Sequence, residues 1–174
     1  MNTETNTSQQ RYVYIGYQGK DNPSERDLII HLLDNYSTTE GFVAQYLPKW
    51  INVSENEAVK GGLRTVQSRE AAHAKLMKSR LKELGESVTA VIPDHRKEKE
   101  MPFFASAEHS DVDKLKVLSE LFGDGEEFLK PVTEVVNQIT DDLQTKELLR
   151  TILDDERESV AWIQGMYRTL SQSS

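Results

Sequence analysis

Apolar residues recur at alternating steps of three and four along four stretches of the chain. These stretches cover residues 29–47, 59–81, 115–136 and 149–170. That spacing is typical of amphipathic helices that bury one face in a bundle core. The pattern therefore predicts an all-α fold built from four long helices.

Local signals predict where the first two helices begin and end. Ser24 is a suitable N-cap for the first helix, and Pro48 helps to end it. The second helix is predicted to start at Ser54, with Glu57 completing a capping box, and to stop at Gly85. A tight connection between these helices predicts a hairpin.

The second pair of helices carries similar signals and one interruption. Ser110 is predicted to cap the third helix. Gly123 and Gly125 interrupt this helix, and Asp124 between them can cap a restart, so a broken or bent helix is expected. The fourth helix is predicted over about residues 141–170.

The predicted organisation is one helical domain behind a polar extension. Residues 1–23 form the extension, which we expect to be partly disordered because its start is strongly polar. Residues 24–170 form the domain. It divides into a hairpin (24–84), a long crossover without a sustained helical period (85–109) and a second hairpin (110–170).

The two predicted hairpins repeat each other. A shift of 86 residues aligns 24–77 with 110–163 without a gap, and ten of the 54 pairs are identical. Unrelated sequences of ordinary composition would share roughly three. The repeat predicts two hairpins related by a pseudo-twofold axis and joined by the crossover, which is a four-helix bundle with one long connection.

Each apolar seam also holds one glutamate. They are Glu40, Glu70, Glu126 and Glu156. A buried carboxylate is costly unless it is paired or protonated, and four converging carboxylates would repel one another. Two divalent cations would cancel four negative charges. The seams therefore predict a two-metal carboxylate site in the core.

His73 stands three residues after Glu70, which places both on one helix face. With the repeated glutamates, this motif resembles the ferritin-like superfamily, and most closely its rubrerythrin-like members. The resemblance covers about residues 24–170 and implies a ferritin-like four-helix bundle. The chain departs from the family pattern at Ser159, which replaces the second histidine and makes that half of the site degenerate.

The resemblance implies a role for each candidate residue. Glu40 and His73 would be terminal ligands of the first metal. Glu126 would bind the second metal. Glu70 and Glu156 would bridge the two metals. Asp155 would hydrogen-bond the ligand histidine. Tyr36 would line the cavity, with simple core packing as the alternative.

The resemblance implies two divalent metals, with iron expected first. Manganese is the alternative, because a half-site without histidine offers only oxygen ligands. Two functions stay open from the sequence. One is a di-metal oxidoreductase acting on dioxygen, peroxide or ferrous iron. The other is a non-catalytic binding or structural protein with a degenerate or lost metal site. Ser159, Lys130 and the broken third helix favour this alternative.

Composition narrows the expected partners. The net charge of −8 argues against a nucleic-acid binder, because such proteins must neutralise phosphates. The chain has no cysteine, so a di-metal enzyme would need a separate electron donor. No apolar run approaches the length of a membrane span and no signal peptide is recognisable, so a cytoplasmic location is expected. Exposed helix faces are compatible with a homodimer.

Overall fold

The computed structural model describes residues 23–172, and within that range the chain is all-helical, as predicted. The helices are α1 (Glu25–Val53), α2 (Glu57–Glu83), α3 (Asp94–Ala105), α4 (Asp111–Phe122), α5 (Gly125–Gln138) and α6 (Leu143–Ser171). Residues 1–22 of the predicted extension lie outside the described range. None of these helices combines the length and the apolar content that crossing a membrane requires.

The repeated N-caps predicted from the sequence are confirmed. Ser24 accepts the backbone N–H of Asp27, and the Asp27 carboxylate accepts the backbone N–H of Ser24. Ser110 and Asp113 form the same reciprocal pair at the start of α4. Each pair satisfies amide groups that the first turn of a helix leaves without partners.

The predicted end of the first helix at Pro48 is wrong. The helix continues because Trp50 is fully buried and its Nε1 donates to Asp111 Oδ1 at 2.7 Å, which outweighs the hydrogen bond lost at the proline. Ser54 consequently closes α1, with its N–H donating to the carbonyl of Trp50, and Asn56 caps α2 instead.

The crossover also departs from the prediction, because it contains α3. Only one residue of this helix, Phe104, is buried, so its sequence shows little helical periodicity. The Phe104 ring stacks on Tyr46 at a centroid distance of 4.4 Å and contacts Trp50. Packing on α1 therefore stabilises a helix that local sequence alone does not indicate.

The predicted interruption of the third helix is confirmed. Helix α4 ends before Gly123, whose φ of +52° is one that side chains rarely adopt. Asp124 then caps α5 by accepting the backbone N–H groups of Glu126 and Glu127. The two non-helical residues change the direction in which the next helix presents its side chains.

Contacts between helix ends show that α1 runs antiparallel to two neighbours. Arg26, at the start of α1, donates to the carbonyl of Leu84 just after α2. Glu25 accepts backbone N–H groups of residues 140–142, which follow α5. This dense backbone capping lowers the pKa of the Glu25 carboxyl to about 2.

Helix α6 likewise runs antiparallel to α2 and to α5. Arg80, near the end of α2, donates to both carboxylate oxygens of Asp142 just before α6. Arg157, in the middle of α6, donates to Glu126 at the start of α5, whose other end leads into α6. Asp111, at the start of α4, accepts hydrogen bonds from Trp50 and Ser54 at the end of α1, so the crossover connects one end of the molecule, where α2 stops, to the opposite end, where α4 starts.

Two apolar clusters fill the interior and leave a polar layer between them. One gathers residues from α1, α2, α5 and α6, including Leu33, Met77 and Leu149. The other gathers residues from the opposite halves of α1, α2 and α6, including Trp50 and Leu63, together with α3 and α4. Along each long helix, the candidate site residues fall between the two clusters.

Candidate metal centre

The polar layer consists of buried side chains from three helices, each at most 8% exposed. They are Glu40 on α1, Glu70 and His73 on α2, and Glu156 and Ser159 on α6. The three-residue spacing within α2 and within α6 turns each pair toward the same interior space. All five were predicted from the sequence to lie in the apolar seams, and all five are buried in the structure.

Three atoms in this layer converge without hydrogen-bond partners. His73 Nδ1 lies 3.5 Å from Glu40 Oε2 and 3.3 Å from Glu156 Oε1. Among the described residues, these three are the buried side-chain nitrogen and oxygen atoms that lack a hydrogen bond. Each such orphan ordinarily costs about 1–3 kcal/mol. A protonated His73 would pair with both carboxylates, and a shared cation would satisfy all three atoms.

The spacing of the three atoms fits one shared cation. Ligand atoms held at about 2.1 Å from an ion lie about 3.0 Å apart in octahedral and about 3.4 Å apart in tetrahedral geometry. The distances from His73 Nδ1 to the two carboxylate oxygens are close to these values. Glu40, His73 and Glu156 can therefore hold a metal ion between three helices.

Glu70 lies beside this group rather than in it. Its carboxyl and that of Glu40 are within hydrogen-bonding reach, which requires a proton on one of them. Burial raises the pKa of Glu70 well above its ordinary value, and the charges of Glu40 and Glu156 raise it further. Burial, with the Glu156 charge, also raises the pKa of Glu40. The raised pKa therefore favours a protonated Glu70 beside the three ligand atoms.

The His73 ring is fixed from its other side. Its Nε2 lies 3.1 Å from Asp155 Oδ2, where the sequence expected a partner. Burial by itself would lower the pKa of His73, but the carboxylates of Glu156 and Asp155 outweigh it and raise the pKa. An imidazole whose Nε2 hydrogen-bonds a carboxylate presents Nδ1 to a metal, an arrangement common among histidine ligands.

Tyr36 lies one turn before Glu40 and is buried. Burial raises the pKa of its hydroxyl well above the ordinary value, and the charges of Glu156, Glu40 and Glu70 raise it further. The phenol therefore borders the carboxylate group, as expected for a residue that lines the cavity, while it also packs in the first apolar cluster.

Glu126 does not join the cluster, so its predicted place in a buried seam is wrong. Its side chain is 69% exposed and accepts a hydrogen bond from Arg157 Nε at 3.0 Å. The break before α5 explains the error, because helical periodicity counted across residues 123–124 no longer gives the direction of the side chain. The half-site that the resemblance assigns to a second metal thus lacks both its glutamate and its histidine.

Sequence reasoning missed Arg69, which lies beside Ser159. Its Nη1 is 3.4 Å from Ser159 Oγ and 3.4 Å from the carbonyl oxygen of Asp155. Its Nε is 3.5 Å from Asp155 Oδ1, and its Nη2 pairs with Glu158. The repeat offered a signal, since the shift of 86 aligns Arg69 with Asp155.

A cleft of about 210 Å³ between α2 and α6 reaches the outer edge of His73. Its walls are mainly apolar and include Leu76, Leu148 and Ile152, while Arg69 and Asp155 supply charge. His73 and its partner Asp155 both line the cleft, whereas the three converging ligand atoms are buried.

Comparisons of the chain with models of known protein families, with curated proteins and with solved structures find no match. The functional assignment therefore rests on the residues of this chain and on the geometry of the buried cluster.

Proposed function

We propose that the protein is a ferritin-like four-helix bundle that binds one divalent transition-metal ion and acts as an oxidoreductase on dioxygen or peroxide. The observation that carries the proposal is the convergence of three buried ligand atoms without hydrogen bonds, from Glu40, His73 and Glu156. Support for the bundle comes from the antiparallel neighbours and from the crossover that joins opposite ends of the molecule.

The donor set favours a particular class of ion. One imidazole nitrogen with carboxylate oxygens suits Fe²⁺, Mn²⁺ or Zn²⁺ better than Ca²⁺ or Cu⁺. Glu40 and Glu156 would cancel the charge of one dication, and Glu70 could keep a proton. We propose one ion rather than the two expected from the resemblance, because Glu126 lies at the surface and Ser159 replaces a histidine.

Bound iron or manganese would supply a one-electron redox couple for reaction with small oxidants. The chain itself would set the conditions of that reaction. Asp155 orients the His73 ring, and the apolar clusters on both sides of the polar layer exclude bulk water. Because the ligand atoms are fully buried, the site suits small reactants, and electrons would come from a separate donor.

Metal content is the first test. Untagged protein, stripped with a chelator and dialysed against Fe²⁺ without oxygen or against Mn²⁺, is expected to retain one ion per chain by elemental mass spectrometry. Glu156→Gln should weaken binding about 10–100-fold, since it replaces a charged ligand. Glu147→Gln is the matched control, because Glu147 lies on the same helix with its side chain 68% exposed. Absence of retained metal in the unaltered protein would refute the proposal.

Activity is the second test. The iron-loaded protein should consume peroxide or dioxygen faster than the same amount of free Fe²⁺, and Glu156→Gln should lose this advantage. Metal that binds without any gain in rate would limit the function to metal binding.

A non-catalytic helical protein is the second candidate, and one observation favours it. The Glu40 and Glu70 carboxyls are within hydrogen-bonding reach of each other and burial raises the pKa of both, so protons can neutralise part of the buried charge without metal. Under this alternative, Glu70→Leu would leave the metal-free protein as stable or more stable, and no ion would be retained after dialysis.

A further inference from the structure

The guanidinium group of Arg69 lies within a set of oxygen atoms contributed by α6. Its three nitrogens contact Asp155 Oδ1 (3.5 Å), the Asp155 carbonyl oxygen (3.4 Å), Ser159 Oγ (3.4 Å) and the Glu158 carboxylate. Ser159 is only 3% exposed, whereas the side chains of Arg69, Asp155 and Glu158 are 25%, 38% and 70% exposed, so the guanidinium lies at the edge of the interior. Every neighbour named here is an acceptor facing a permanent cation.

The same oxygens occupy the degenerate half of the repeat. Ser159 aligns with the metal-facing His73, and Asp155 aligns with Arg69. Carboxylate, carbonyl and hydroxyl oxygens together are the ligands that hard divalent cations prefer. In this structure they surround a side-chain cation, close to the polar layer that holds Glu156.

We propose that Arg69 is a partly buried cation that fills this oxygen set and limits the protein to one bound metal ion. The inference rests on the proposed metal site formed by Glu40, His73 and Glu156. A guanidinium keeps its charge at any ordinary pH, so a second dication would have to displace it or bind against its repulsion. Arg69 thereby determines the stoichiometry of the site without touching the first ion.

Three variants separate the charge of Arg69 from its packing. Arg69→Gln removes the charge, and the protein is expected to bind two ions per chain, the second more weakly than the first. Arg69→Met keeps the packing of the aliphatic stem and should give the same gain if Arg69→Gln fails to fold. Arg69→Lys keeps a positive charge and should remain at one ion. Arg64→Gln is the control, because it removes an exposed arginine from the same helix.

The measurement is equilibrium dialysis of metal-stripped full-length protein against Co²⁺, which is stable in air, followed by elemental mass spectrometry. One ion in the unaltered protein, in Arg69→Lys and in Arg64→Gln, with two in Arg69→Gln or Arg69→Met, supports the proposal. One ion in every variant overturns the role of Arg69 and leaves the proposed metal site intact. Two ions in the unaltered protein also overturn that role, and no ion at all overturns both proposals.

Discussion

Replacing Glu40 by leucine should stabilise the metal-free protein and abolish its response to metal. The side chain is 3% exposed and lies between the two apolar clusters, and its Oε2 has no hydrogen-bond partner. Burial raises the pKa of the Glu40 carboxyl, so the folded protein disfavours its charged form. Leucine has a similar length and adds no polar atom to the interior.

The size of the effect follows from the unpaired oxygen. A buried polar group without a partner costs about 1–3 kcal/mol. Glu70 loses its hydrogen-bonded neighbour in the same variant, which offsets part of the gain, so we expect a net stabilisation of about 1–2 kcal/mol. For a chain of this length, that corresponds to a rise in Tm of about 2–8 °C.

Metal should reverse the order of stability. An ion at 100 times its Kd stabilises the native state by about 2.7 kcal/mol, or about 5–11 °C in Tm. The unaltered protein should show this rise, whereas Glu40→Leu should not. Thermal unfolding followed by circular dichroism, with chelator or with Mn²⁺, measures both effects, and Glu147→Leu serves as the surface control. A Glu40→Leu protein that melts below the unaltered protein in chelator, or that gains as much from Mn²⁺, would refute the reasoning.

Three further predictions concern packing, pH and proton release. Gly62→Ala should destabilise the protein by about 1–3 kcal/mol in urea unfolding, because the added Cβ would lie 1.8 Å from the Trp162 ring; unchanged stability would contradict the observed packing. The pKa of Glu25 is lowered to about 2, so its stabilising contribution is present above about pH 4.5 and is lost as the pH falls toward 2. The difference in unfolding free energy between the unaltered protein and Glu25→Gln should shrink over that interval. A difference that stays constant with pH would contradict this. The pKa of His73 is raised, so a metal must displace a proton from the imidazole at lower pH. Calorimetry of metal binding in buffers of different ionisation enthalpy should show more protons released as the pH falls. A metal affinity that does not change with pH would count against His73 as a ligand.

The sequence predicted the parts of the fold that depend on local rules. The capping boxes at Ser24 and Ser110 involve residues three apart, and the break at Gly123 follows from glycine and a capping aspartate. Helix α3 could not be predicted this way, because it buries only Phe104 and depends on a surface supplied by α1. Pro48 shows the same limit, since tertiary packing beyond it keeps the helix intact.

The candidate site could likewise be predicted only in part. Glu40, His73 and Glu156 lie on uninterrupted helices, so a seam counted from the sequence gave their directions correctly. Glu126 follows the break before α5, so the helical periodicity counted across that break gave the wrong direction for its side chain. Arg69 was missed because long charged side chains reach across helix interfaces, and neither their partners nor their direction can be read from the spacing of apolar residues.

The degenerate half of the repeat differs from the intact half in more than one residue, and restoring the histidine alone would leave the fixed charge of Arg69 in place. Ser159 removes a nitrogen ligand, Arg69 brings a fixed charge beside it, and Arg157 pairs with Glu126 at the surface. Ser159→His alone is therefore expected to leave the protein at one Co²⁺ per chain in the same dialysis measurement. Two ions in that variant would mean that the missing histidine by itself had emptied the second half-site, and that neither the arginine nor the break before α5 restricts it.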